Sequence, residues 1–318
     1  MSTRPHPTVT IGVTARERFS LAEKCLRAIF AHTDVPFTLI FVDVGYPSRY
    51  LREVDAVLAG RSNVKIITTD GFVRPTAQKN LILDSTTDEY VCIIENDCIP
   101  EQGWLSAMIE AMERLDAGAA TPLLLEGRAR FREVVHHDLG TGGIESWEEG
   151  GATVRKFVTD DSIKRWKDLN GPKVVQSTEF HCNMYRRDAL TAMGKFDEKI
   201  VTRQNCDATL MLHAAGVRLI VVPGARVVHY APPPIYRDEL PYYHFIWDLA
   251  EAEEGERYLM RKWNLRSMPT SIPFLKGQRF RTSELRWLAY RAARVAARAW
   301  KLVTSGVRYE VLDRSNPS

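Results

Sequence analysis

Residues 90–100 read Tyr-Val-Cys-Ile-Ile-Glu-Asn-Asp-Cys-Ile-Pro, an apolar run that stops abruptly at Glu95-Asn96-Asp97. Consecutive apolar residues without alternation are the pattern of a strand buried on both faces, as in the parallel sheet of an α/β protein. Ligands of such sheets bind at the carboxyl ends of the strands. Glu95 and Asp97, spaced i and i+2 at such an end, suit a divalent cation that prefers oxygen donors, Mg2+ or Mn2+, and with it a phosphate-bearing substrate. A plain acidic turn is the competing reading of the triplet taken alone, so the flanking sequence has to decide.

Working outward, residues 8–13 form a short apolar strand. A helix is expected over residues 20–32, where Leu21, Cys25, Leu26 and Ile29 share one face. Residues 37–42 are the next strand, ending at Asp43; residues 51–58 are a helix, 64–68 a strand and 76–83 a helix start. Strands alternating with helices at this spacing predict an α/β fold, a mostly parallel central sheet flanked by helices. After Pro100 a helix carries Trp104, Met108, Ile109, Met112 and Leu115 on one side. Residues 128–173 are polar and glycine-rich, and read as irregular and hairpin material over a cleft; a connection this long usually serves function. Residues 180–185 read as an edge strand, 205–214 as a helix, and 217–223 and 226–230 as two short strands. The three prolines at 232–234 mark a boundary. Beyond it come an aromatic seam at residues 242–247, a helix over 253–263 and a C-terminal helix over 283–304.

These signals predict a catalytic domain over residues 1–235, with a nucleotide half at about 8–125 and an acceptor half at about 126–235. Residues 236–318 are a helical C-terminal extension. The 318 residues are 45% hydrophobic and 26% charged, ordinary for a globular chain, and a formal charge of +3 gives no reason to expect nucleic acid. Five cysteines, odd in number and without a CxxC, suggest free thiols in a reducing compartment. No signal peptide is expected, and no run approaches the ~20 apolar residues of a bilayer span. The expectation is a cytoplasmic protein. The 283–304 helix has an alanine-rich face and a basic edge of Arg291, Arg294, Arg298 and Lys301. It is read either as packing on protein, in the chain or in a homo-oligomer, or as lying on the inner face of an anionic membrane.

Five segments then fall into a familiar order: VTIGVTARERFSLAEKCLRAI at 9–29, FVDVG at 41–45, TDGFVRPTAQKNLIL at 69–83, ENDCIPEQGWLSAM at 95–108 and GKFDEKIVTRQNCDATLMLHAAGVRLIVVPGARVVH at 194–229. Over roughly residues 8–230 they resemble the inverting nucleotide-sugar glycosyltransferases of family 2, which have the GT-A fold. The resemblance implies a nucleoside-diphosphate-sugar donor, a saccharide or lipid-linked acceptor, and Mn2+ or Mg2+ as cofactor. It implies that Asp43 accepts from the imide N–H of the base and that Thr14, Ala15 and Arg16 lie over the nucleotide. Lys79 and Asn80 match the nucleotide-side basic–Asn step. Glu95 takes the first position of the acidic DXD element, near ribose and metal, with Asn96 in its middle. Asp97 takes the metal-binding position and His229 completes the metal and diphosphate site.

One segment departs from the family pattern. Members commonly carry Glu-Asp-x-Asp where this chain has Gln204-Asn205-Cys206-Asp207, and the first aspartate there is the general base. Asn205 falls at that place, and an amide has no useful proton affinity. Asp207, Glu179 and His181 are the alternative candidates; weak dependence on a base is another. A nucleotide-sugar-binding protein with little or no transfer activity is therefore an alternative function. A sugar-phosphate nucleotidyltransferase fits less well, because residues 14–19 supply Arg16 and Arg18 but no glycine cluster to cradle a triphosphate.

Overall fold

The computed structural model describes residues 7–127, 134–135, 142–149, 152–159, 170–177, 180–230 and 235–278, and six positions between 286 and 296. Glu179, and residues 283–304 apart from those six positions, lie outside the described residues.

The chain opens β1 (Val9–Thr14), α1 (Ala22–His32), β2 (Thr38–Asp43), α2 (Ser48–Leu58), β3 (Val64–Thr68), α3 (Pro75–Asp84), β4 (Tyr90–Glu95). β1 and β4 are buried at every position, as their unbroken apolar character demands. β4, β1, β2 and β3 pair in parallel in that spatial order. The chain thus grows outward from β1 to β3 and then returns to β1's other side with β4, which opens a crevice at the carboxyl ends of the strands. α3 seats so close to β1 that a Cβ on Gly12 would stand 2.6 Å from the Ile82 side chain. Glycine is what permits that approach.

Next come β5 (Cys98–Pro100), α4 (Trp104–Leu115), β6 (Ala119–Gly127), β7 (Val134–Val135), β8 (Gly142–Glu149), β9 (Ala152–Thr159), β10 (Lys173–Val174), β11 (Cys182–Arg186), α5 (Arg187–Met193), α6 (Gln204–Ala214) and β12 (Leu219–Tyr230). The large sheet runs β10-β12-β6-β11-β4-β1-β2-β3, with β5 on β12 and β7 on β6. Two sequence expectations need correction. The strand expected at an edge is β11, and it lies inside the sheet, antiparallel to both β4 and β6. Its residues Cys182 to Tyr185 are all buried, which an edge would not require. The two short strands expected near 217–230 are one strand, β12, whose register against β6 slips between Val222 and Arg226. Pro223 and Gly224 occupy that slip, because proline cannot donate to a ladder and a bulge absorbs it. The hairpin expected within 128–173 is β8–β9, paired from Gly142↔Thr159 to Glu149↔Ala152.

The C-terminal part contains α7 (Leu240–Ile246), α8 (Leu249–Lys262), β13 (Leu265–Ser267) and α9 (Ile272–Gln278). The aromatic seam is helical: it is α7, and its Tyr242 and Ile246 enter the main core. Leu259 of α8 and Leu265 of β13 close a smaller core with Ile200, Cys206 and Leu210. β13 also adds a parallel strand to β9. The described positions of the 283–304 helix are helical and exposed, Leu288 at 61%, so none of them shows the in-chain docking weighed for that face. No described helix is long and apolar enough to cross a membrane. All five cysteines are buried, and none forms a disulfide with a described residue.

Candidate functional site

Strand register assembles the site. β4 runs straight into Glu95-Asn96-Asp97. β11 pairs with β4 so that Cys182 faces Ile94, which sets His181 beside Glu95, and the Glu95 N–H donates to the His181 carbonyl at 2.8 Å. β12 pairs with β5 so that His229 faces Cys98, and the Tyr230 N–H donates to the Asp97 carbonyl at 2.8 Å. The His181 and His229 rings stack, with centroids 4.1 Å apart and planes at 16°. Two histidines far apart in sequence thereby meet two carboxylates at the ligand end of the sheet.

Glu95 is buried among cations. Its carboxylate contacts His181 Nδ1, lies 3.6 Å from Arg16 Nε and 3.5 Å from Lys79 Nζ. Burial by itself would raise its pKa, but Arg16, then His181 and Lys79, overcome that and hold the carboxyl well below the usual range. Burial would lower the Arg16 pKa; Glu95, Glu17 and Asp97 outweigh it and the guanidinium is raised. Lys79 also sits over the Phe180 ring at 4.2 Å.

Asp97 is fully buried and only half satisfied. Oδ1 receives the Cys98 thiol at 3.8 Å. Oδ2 has no hydrogen-bond donor among the described residues; His229 Nε2, at 3.4 Å, is within ion-pair range but not aligned as a hydrogen bond. A buried carboxylate oxygen without a donor costs about 1–3 kcal/mol or more, and a bound cation is what such an atom fits. Asp97, Cys98 and His181 each offer one ligand atom, all within 4.8 Å of one another. The donor set present at this position therefore fits a divalent ion.

Asp43 ends β2 across β1 from this cluster. Its Oδ1 accepts from the N–H groups of Gly45 and Tyr46 at 3.0 and 2.9 Å, and no described residue donates to Oδ2. The intervening loop after β1 is held at nearly every residue. Asn96 N–H reaches the Thr14 carbonyl at 2.9 Å; Ala15 N–H reaches Gln78 Oε1 at 2.7 Å; the Ala15 carbonyl receives Gln78 Nε2 and Tyr242 OH. Arg16 N–H donates to Asn96 Oδ1 at 3.1 Å, and Asn96 Nδ2 donates to the Arg18 carbonyl and the Tyr46 hydroxyl. Glu239 Oε1 accepts from Phe19 and Ser20 N–H, and Trp247 lies under the Arg16 guanidinium at 4.9 Å.

Two residues expected on the nucleotide are thus occupied elsewhere. Asn96 spends its amide on the 16–18 loop. Asn80 donates to the Phe196 carbonyl and Glu198 and accepts from Phe196 N–H, tying α3 to the 196–198 turn. Sequence reasoning missed Gln78, Glu239 and Tyr242 as loop holders. Gln78 stands beside Lys79 in a segment already singled out, but nothing local announces that its amide folds back onto Ala15.

In the half expected to meet the acceptor, Asn205 is the second residue of α6, half-buried, with no side-chain hydrogen bond to described residues. Asp207 is buried and committed: Oδ1 accepts from Trp263 Nε1 at 2.7 Å and lies 2.9 Å from Lys262 Nζ. Lys262 also reaches Asp197 at 3.0 Å; burial would lower its pKa, but Asp207 and Asp197 raise it. Asp207 therefore fastens α8 onto α6. Arg203, which caps α6, adopts left-handed φ 58°.

A sequence model of glycosyl transferase family 2 matches residues 10–194. Two curated relatives, pre-mycofactocin glycosyltransferases of Mycobacterium tuberculosis strains CDC 1551 and H37Rv, are 24% identical over 230 residues, covering 70% of this chain and 43% of theirs. The chain spans less than half the length of these relatives. Among solved structures, GalNAc-T7 with UDP, GalNAc and Mn2+ aligns with a TM-score of 0.57 at 13% identity, over 78% of this chain and 49% of that one. Staphylococcus aureus TarS 1-349 in complex with UDP-GlcNAc aligns with a TM-score of 0.52 at 14% identity, over 81% and 73%. At these identities the likeness shows the fold, a GT-A-like sheet with flanking helices and a helical C-terminal extension.

Proposed function

The chain belongs to glycosyl transferase family 2, and from that premise we propose that it moves a sugar from a nucleoside-diphosphate sugar to a hydroxyl acceptor, a glycan or lipid-linked saccharide, by metal-assisted inverting displacement. The observation that carries this reading is Asp97 Oδ2, a buried carboxylate oxygen without a donor at the ligand end of the sheet. Asp97, with His229 beside its Oδ2, would hold the ion, which when bound neutralises charge building on the departing diphosphate. Glu95, kept ionised, orients His181 and Arg16. Asp43 accepts from the base through Oδ2 while Oδ1 fixes its own turn. An imide N–H suits uracil, and both solved relatives named above carry a uridine nucleotide, so UDP is the first ligand to try.

Inversion requires the acceptor to approach the sugar opposite the leaving group, so the base belongs away from the ion. His181 touches Glu95, and its ligand atom lies within 4.8 Å of that of Asp97, which favours a place for it beside the diphosphate. Asp207 is held by Lys262 and Trp263. Of the three base candidates, Glu179 is the one whose change to Gln should depress turnover while sparing donor binding. A second reading, a nucleotide-sugar-binding protein with little transfer, is favoured by Asn205 alone. It predicts donor binding without transfer to any acceptor tried. Calorimetric titration of UDP with and without Mn2+ tests the principal reading: affinity should depend on the ion. Absence of metal-dependent binding for every nucleoside diphosphate, with Mn2+, Mg2+, Zn2+ or Co2+, would reject it.

A further inference from the structure

Resting on the reading of this cluster as the ion site, we infer that Cys98 and His181 are metal ligands alongside Asp97, and that the site takes a borderline ion such as Zn2+ or Co2+ through a thiolate bond. Carboxylates alone argue for Mg2+ or Mn2+. The structure adds sulfur and imidazole, and those donors shift the preference toward zinc-like ions. Asp97, Cys98 and His181 present ligand atoms within 4.8 Å of one another. The Cys98 sulfur already touches Asp97 Oδ1 and the His181 carbonyl, each at 3.8 Å.

The three donors come from the tight β4–β5 turn, the first residue of β5 and the residue before β11. Glu95 accepts from His181 Nδ1, which sets the tautomer with the lone pair on Nε2, the arrangement by which carboxylates orient metal-ligating histidines. His229 stacks on His181 and approaches the other oxygen of Asp97, so it buttresses the ring and the carboxylate together. Three protein donors with further positions open is the composition of a catalytic zinc site, and a diphosphate oxygen is the natural occupant of the opening. On coordination the Cys98 thiol becomes a thiolate and its proton passes to solvent.

Zinc outbinds manganese at almost any nitrogen, oxygen or sulfur site, so affinity ranking alone decides nothing. The decisive experiment titrates Co2+ into the chelator-treated full chain and reads the near-ultraviolet thiolate-to-cobalt charge-transfer band, with UDP affinity measured in parallel. The expected result is a band that saturates at one ion per chain, is bleached by Zn2+ and is missing from Cys98→Ser. His181→Gln should weaken Zn2+ binding by about tenfold or more. Metal-free melting curves confirm folding, and His181→Gln carries the test should Cys98→Ser not fold. Bound cobalt without the band, an identical band in Cys98→Ser, or unchanged zinc affinity in His181→Gln overturns the inference. If that happens while UDP binding still depends on metal, the transferase reading survives. If the band appears but no nucleoside diphosphate binds, the metal ligands stand and the transferase reading falls.

Discussion

Under the proposed transfer the loop after β1 belongs to the donor side and the start of α6 to the acceptor side, and the two are built differently. From Thr14 to Ser20 the donor loop is pinned by Asn96, Gln78, Tyr242 and Glu239, four side chains from three separate stretches of chain. Around α6, Asp207 is committed to the C-terminal extension, while the buried Thr202 and Thr209 hydroxyls and Arg203 Nε lack hydrogen bonds among the described residues. The donor loop is fixed from several directions, and Asp97 Oδ2, at the ligand end of the sheet, stands among the buried atoms left without a hydrogen-bond partner among the described residues. Preorganisation is what holds catalytic groups in register with a transition state, so donor affinity should respond to substitutions on the donor side and not to those around α6.

The largest expected effect on ligand binding is at Asp97. Asp97→Asn should reduce metal-dependent UDP affinity by about two orders of magnitude, because it removes an anionic ligand. In the metal-free protein the same change removes a buried charge whose Oδ2 has no donor, so the melting temperature should hold or rise. Calorimetry and a metal-free thermal melt check both halves; a fall in stability with binding intact would make Asp97 structural and dissolve the contrast.

Glu95→Gln should destabilise by about 3–5 kcal/mol, since Arg16 and Lys79 lose their buried counter-charge. The pH dependence has a definite sign. The folded carboxyl is depressed, so its stabilisation is complete above the unfolded glutamate value of about 4.3 and is lost as pH falls from there toward the folded value. The stability gap between wild type and variant should be constant at neutral pH and shrink below about pH 4. Urea unfolding across that range measures it, and a gap that widened in acid would reverse the assignment.

What the sequence showed and what it hid follow the same division. β1, β2, β3 and β4 were legible because each is a local apolar run with a helix pattern between, and Asp43, Glu95 and Asp97 because each stands where such a run stops. β11 was legible as a strand but not as an interior one, since its neighbours β4 and β6 are distant in sequence and antiparallel insertion leaves no local mark. β12 looked like two strands because Pro223 breaks the pattern without breaking the strand. The duties of Asn80, Asn96 and Asp207 were hidden for a related reason: the residue type advertises hydrogen bonding, while the partner, Phe196, Arg18 or Trp263, is fixed only by tertiary packing.

Lys262→Met tests whether Asp207 is an anchor. Lys262 is partly exposed, so the loss should be about 2 kcal/mol, below that of a fully buried pair. UDP affinity should be unchanged, because no donor-side residue touches Lys262 in the contacts described. Urea unfolding and calorimetry together decide; loss of donor affinity at full stability would show that the two sides are not separable as drawn.

The smallest effect on stability should come from Asn205→Asp. Asn205 is half-buried in the first turn of α6 and has no side-chain hydrogen bond to lose. A carboxylate there meets the positive end of the helix dipole and should stabilise by about 0.3–1 kcal/mol. Donor affinity should not move. If the side chain faces the acceptor, the new carboxylate also restores a proton acceptor where the family places its base, and transfer should rise with an added acid limb in its pH profile. Chemical unfolding reads the first effect and the pH dependence of transfer the second. An unchanged profile beside the expected gain in stability would mean that position 205 does not address the acceptor, and would move the search for the base wholly to Glu179.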